Sequence, residues 1–146
     1  MEILIVVFVI LSLIGSISFL KPSKKMKALS AIRHIASKEG FKIGSTQILR
    51  KKFKSWTPQV AIYQIKNDSL FKDMHFVREG DALILYAPMS LKYDEQFPVA
   101  QEKILLLPNS VLEIIFFQSN IAIVWNEMQG HEELLNIKTA ILNISN

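Results

Sequence analysis

Three histidines, two short acidic runs and one dense basic segment are the residues whose types suit chemistry. His34, His75 and His131 fall in no H-x-x-x-H or H-E-x-x-H arrangement, so their spacing gives a zinc site no support. His131-Glu132-Glu133 resembles a ligand set, but adjacent residues on a helix do not face one another. Directly after Gly130, the two acids suit the positive end of a helix instead. Asp94-Glu95 reads as solvated loop surface. There is no G-x-S-x-G, Walker or Rossmann pattern, and five glycines leave little for a phosphate cradle. With no cysteine, disulfides, thiolate metal sites and cysteine nucleophiles are all excluded. The expectation is a non-enzymatic protein without cofactor or metal.

The basic segment is Arg50-Lys51-Lys52-Phe53-Lys54-Ser55-Trp56, four cations interleaved with two aromatics. Phosphate contact plus base stacking would suit nucleic acid. The same residues suit anionic lipid headgroups with Trp56 at the interface, an acidic protein partner, or a solvated hairpin. A tether to a membrane ranks nucleic acid below the other three.

That tether is expected from the first twenty residues. Ile3–Leu20 is an uncharged run of eighteen, which as a helix spans roughly 27 Å, close to a bilayer's hydrocarbon thickness. A cleaved signal peptide would need a basic start and a small-residue cleavage site; the start here carries Glu2, and Lys21, Lys24, Lys25 and Lys27 follow the run. Positive charge on the cytoplasmic side places the amino terminus outside and residues 21–146 inside a bacterial inner membrane. Ser12, Gly15 and Ser16 are small enough to let another helix approach closely. From Lys21 to Val60 there are eleven basic residues and one acid, whereas Ala61–Asn146 holds six basic residues and eleven acids. The basic half begins where the apolar run ends, and Lys21, Lys24, Lys25 and Lys27 are candidate headgroup or partner contacts.

The expected organisation is an anchor over 1–20, a basic juxtamembrane helix over 21–40 and an α+β domain over 41–146. Pro22 breaks the apolar run, Ser23 caps the second helix and Gly40 ends it. Met26, Leu29, Ile32 and Ile35/Ala36 form its apolar stripe. Strands are expected at Phe41–Ile43, Ile48–Leu49, Gln59–Lys66, His75–Arg78, Ala82–Tyr86, Lys103–Leu107, Ser110–Gln118 and Asn120–Trp125. In the clearest, Val60, Ile62 and Gln64 share one face and Ala61, Tyr63 and Ile65 the other. Glu79-Gly80-Asp81 and Ser119-Asn120 read as turns, and Ala87–Gln101 as the longest irregular connection. A closing helix near His131–Asn143 carries Leu134, Leu135, Ile137, Ile141 and Leu142 as its stripe. The sum is five or six mostly antiparallel strands flanked by a basic helix and a C-terminal amphipathic helix, with one sheet face covered.

Leu20-Lys21-Pro22-Ser23, the helix closing on Glu39-Gly40, and a strand running into Val124-Trp125-Asn126-Glu127 together resemble a group of uncharacterised proteobacterial single-span inner-membrane proteins. That resemblance implies the layout and brings no activity or functional residue. The junction Lys21-Pro22 with its following lysines is also similar in architecture to the small accessory subunit of the bacterial protein-export translocon. This chain departs from that family in lacking a glycine-rich strand motif after the basic helix and in its longer domain. The resulting expectation is an accessory or assembly subunit of an integral membrane protein complex. Its alternative is a membrane-surface adaptor that binds anionic lipid or a soluble partner through the basic patches. A tethered enzyme with scattered catalytic groups is the third class.

Overall fold

A computed structural model of the chain describes residues 1–20, 23–44 and 46–145. Lys21 and Pro22, and with them the expected break after the apolar run, lie outside the described residues. Helix α1 (Glu2–Leu20) is long and apolar enough to cross a membrane, and none of its eighteen-residue apolar window is buried. Its hydroxyls are satisfied within the helix: Ser12, Ser16 and Ser18 donate to the carbonyls of Phe8, Ser12 and Ile14 at 2.8–2.9 Å. Such back-bonding makes serine tolerable in an apolar helix.

Helix α2 (Lys24–Lys38) starts as expected, with Ser23 Oγ accepting from Met26 N at 3.2 Å. Gly40, at φ +92°, lets the chain turn sharply so that Phe41 N reaches Ala36 O at 2.9 Å. Only the later part of the predicted stripe is core: Ile32 and Ala36 are buried, while Met26 is 60% exposed. Residues 24–28 are exposed, so the start of the helix extends beyond the core.

The remaining elements are β1 (Lys42–Ile43), α3 (Gln47–Lys52), β2 (Ala61–Lys66), β3 (Met74–Glu79), β4 (Ala82–Ala87), α4 (Phe97–Ile104), β5 (Val111–Phe116), β6 (Asn120–Trp125) and α5 (His131–Ser145). Six strands form one antiparallel sheet in the order β1-β2-β6-β5-β3-β4. The two apolar strands of the final hairpin are thus interior, flanked by β2 and β3. Tyr63, Phe76, Phe116, Ile123 and Trp125 point to one face and pack with Ile32 and Ala36 of α2, Ile104 of α4, and Leu134, Ile137 and Ile141 of α5.

Five expectations need correction. Ile48–Leu49 is helical, because Thr46 Oγ1 accepts from Leu49 N at 3.2 Å and nucleates α3. Within Ala87–Gln101 lie a 3₁₀ turn (Met89–Tyr93) and the start of α4, with Pro98 in its first turn, where a missing N–H costs nothing. Lys103 and Ile104 end that helix, so Lys103–Leu107 is no strand; Ala100 and Ile104, one turn apart, are its buried contacts. On α5, Leu135 and Leu142 are 40% and 49% exposed, so the stripe is narrower than predicted. The second sheet face is also partly covered: α3 and the strap after it (residues 53–60) lie over part of it.

Candidate interaction face on the sheet

The second face starts from an irregularity in β5. Between Val111 and Glu113 the pairing with β6 slips, so Val111 opposes Trp125 while Glu113 opposes Val124. A bulge of this kind re-aims side chains: Leu112, Ile115 and Phe117 join Ile62, Ala122 and Val124 in a small apolar layer, with Glu113 fully buried beside it. An unpaired carboxylate there would be very costly. The chain that leaves α3 supplies its partners. Lys54 N donates to Oε1 at 2.9 Å and to Oε2 at 3.0 Å, and Ser55 N donates to Oε1 at 2.7 Å. His75 Nε2, from β3, donates to Oε2. Burial pushes the Glu113 carboxyl upward, but the hydrogen bonds from His75, Ser55 and Lys54 outweigh it and hold the group below the usual carboxylate range. The arrangement is reciprocal, since two strap N–H groups outside any ladder acquire acceptors where the strap crosses apolar surface.

With the strap fixed, cations of α3 and of the strap come to rest on rings. Arg50 lies over Trp56 at 4.7 Å, Lys52 over Phe117 at 4.9 Å and Lys54 over Tyr86 at 4.1 Å. Each contact contributes on the order of 0.5–1 kcal/mol at an exposed site. Tyr86 in turn meets the His75 ring edge-on at 4.9 Å. Arg50 and Lys52 on α3 and Lys54 and Trp56 on the strap are therefore joined through ring contacts, and Lys51 is exposed between them on α3. Beyond the strap the face continues uncovered over β3 and β4, as an open groove of about 490 Å³ lined by Lys54, Val77, Glu79, Ile84, Tyr86 and Met89.

The other predicted contacts lie elsewhere. Lys24, Lys25 and Lys27 are exposed at the start of α2, which packs on the opposite face of the sheet; Lys21 is outside the described residues. Ser12, Gly15 and Ser16 are on α1. Among the described residues no three His, Cys, Asp or Glu side chains cluster as metal ligands would.

A second buried carboxylate joins α2 to the sheet. Arg33 grips Glu127 in a fork, Nε to Oε2 at 2.9 Å and Nη2 to Oε1 at 2.8 Å, and the Tyr63 hydroxyl donates to Oε2 at 2.6 Å. Burial pushes the Glu127 carboxyl up, but Arg33 and Tyr63 hold it below its ordinary range. Burial, then the Glu127 hydrogen bond, raises the Tyr63 phenol, and the same carboxylate raises the Arg33 guanidinium. Further along, Lys138 of α5 bonds Glu39 at the end of α2.

Glu113, Tyr86, Arg33, Glu127 and Tyr63 were not expected as site residues, and His75 was weighed only as a zinc ligand. Glu113 left a trace: it is one acid inside the otherwise apolar VLEIIFF. Pairing between Arg33 and Glu127, ninety-four positions apart, has no local signature.

No protein-family model, no curated protein and no solved structure matches this chain. Its reading rests on its own geometry.

Proposed function

We propose that this protein is a non-enzymatic accessory or assembly subunit of a bacterial inner-membrane complex, anchored by α1 with its α+β domain in the cytoplasm. The observation that supports this reading is how firmly the helix next in sequence to the anchor is held to the domain. Helix α2 follows α1 after three residues and is clamped to the sheet by the Arg33–Glu127–Tyr63 group. A charge-assisted fork of this kind is directional as well as strong. A helix held this way suits a domain that works beside its own span, beyond being kept near a bilayer.

The two basic groups then divide between two tasks. Lys24, Lys25 and Lys27, next to the span, suit anionic headgroups, each contributing on the order of 1 kcal/mol. Arg50, Lys51, Lys52 and Lys54 lie across the sheet from α2 and suit a protein partner. The adaptor reading shares this surface and differs in giving the anchor no specific contacts.

Native gel electrophoresis of detergent-solubilised membranes separates the two. The tagged chain should migrate in a high-mass assembly, and replacing residues 1–20 with an unrelated transmembrane helix should shift it to low mass. Unchanged high-mass migration after the swap would favour the adaptor; low-mass migration of the unaltered chain would overturn the accessory reading.

A further inference from the structure

We propose that the groove between α3 and the β1–β2–β6 end of the sheet is a binding site for a phosphate group, held by Lys42, Lys52 and Gln64. The site goes beyond the accessory role and does not depend on it.

Strand alternation sets the site up. Ile62, Ala122 and Val124 lie in the apolar layer of the second face. Two positions beyond Ile62 on β2 stands Gln64, and two before Ala122 on β6 stands Asn120, so both share that face. Lys42 of β1 opposes Gln64, which places its side chain there too. The apolar layer thus gives way to a polar end. On the opposite face the same stretch stays apolar, with Tyr63, Ile65 and Ile121 in the core or packed against it. Leu49 of α3 packs on the apolar layer. Between α3 and the polar end lies an open groove of about 710 Å³, lined by Lys42, Leu49, Lys52, Gln64, Phe117 and Asn120 among others. An adjoining groove of about 430 Å³ shares Lys42, Gln64 and Asn120 and adds Lys66.

No carboxylate lines either groove. Among the described residues neither Lys42 nor Lys52 pairs with an acid, whereas Lys66 shares its charge with Asp68 at 2.9 Å. Asn120 Nδ2 donates to Gln64 Oε1, which leaves the Gln64 NH2 group as a donor without a protein partner among the described residues. Two ammonium groups and an amide NH2 call for an anion with many acceptors. A phosphate brings a charge of about −1.5 to −2 and three strong acceptor oxygens, more than one carboxylate offers. Lysine meets phosphate as a point charge and needs no fixed fork, which suits an open groove. Nucleic acid fits less well. Lys52 already lies over the Phe117 ring at 4.9 Å, in the place a stacked base would take.

The test uses the isotope-labelled full chain in nanodiscs of neutral phosphatidylcholine, titrated with inorganic phosphate at constant ionic strength. Amide signals of Lys42, Gln64, Phe117 and Asn120 should shift together and saturate. Lys42→Glu and Lys52→Glu, both at exposed positions, should each weaken binding by about tenfold or more. Lys42→Arg should retain it, and all three variants should keep the parent's thermal transition. Nanodiscs containing phosphatidylglycerol separate the two sources of phosphate. Shifts of the same signals there without added phosphate, lost in Lys42→Glu, assign the site to a lipid headgroup; phosphate-dependent shifts alone assign it to a soluble phosphate compound. Absence of saturable shifts in both kinds of nanodisc, shifts confined to residues 24–27, or shifts that survive both charge reversals would overturn the inference. So would acetate binding as tightly as phosphate, which would make the groove a seat for the carboxylates of an acidic protein segment.

Discussion

The two faces of the sheet bury their surfaces by different means. The first is closed by three helices around Tyr63, Phe76, Phe116, Ile123 and Trp125; the second carries a thin layer under one short helix and an extended strap. Each face holds one buried carboxylate, and the contrast between them is instructive. Glu127 ties two helix-face elements together through side chains, Arg33 and Tyr63. Glu113 holds a segment that has almost no core of its own, through backbone N–H groups. Apolar volume sets the stability of the first face; hydrogen bonding sets the shape of the second, which leaves its cations and the β4 groove open to other molecules.

Substitutions should separate the two faces by magnitude. Phe76→Ala, in the helix-face core, should cost about 3–5 kcal/mol in denaturant unfolding. An equal loss for Phe53→Ala under the strap would erase the contrast. Glu113→Ala strands the two strap N–H groups and should cost about 1–3 kcal/mol. Its effect should be local, with faster amide exchange and proteolysis at Lys54–Trp56 while the helix face keeps its protection. Uniform loosening of both faces would show that the strap is part of a single cooperative core.

Acid should act on both carboxylates in the same direction. Glu113 and Glu127 are each held below their ordinary range in the fold, so the unfolded chain takes up their protons first as pH falls. The stability they contribute is complete above the unfolded glutamate value of about 4.3 and is lost as pH falls through the depressed folded values. Denaturant midpoints measured from pH 7 to pH 3 should fall in that lower window, and Glu127→Gln should flatten the slope. The smallest effect belongs to the ring contacts: Lys54→Met should change stability by about 0.5–1 kcal/mol or less, with the loss falling at high salt.

Where the pattern was local, sequence was enough. Alternation in QVAIYQIK assigns Tyr63 and Ile62 to opposite faces, as observed, and Gly80-Asp81 marks the β3–β4 turn. The apolar run of α1 and the Ser23 cap were equally plain. Misreadings arose where one short signal competed with another. Ile48-Leu49 is a β-like pair that Thr46 recruits into a helix, and Lys103–Leu107 is apolar enough for a strand, yet Pro98 had already begun a helix upstream. The basic segment was visible as composition, but not that Phe117 and Tyr86 would seat its lysines. Those rings come from distant strands, whose register has irregularities both in β5, between Val111 and Glu113, and where β3 meets β4, at His75/Phe76.

The accessory role is tested most directly by purifying the tagged full-length chain from native membranes in mild detergent and identifying by mass spectrometry what stays bound. The account predicts a stoichiometric integral membrane complex, diminished when Arg33→Ala or Glu127→Ala uncouples α2 from the sheet. Recovery of the chain alone, as a monomer or as copies of itself, would contradict it.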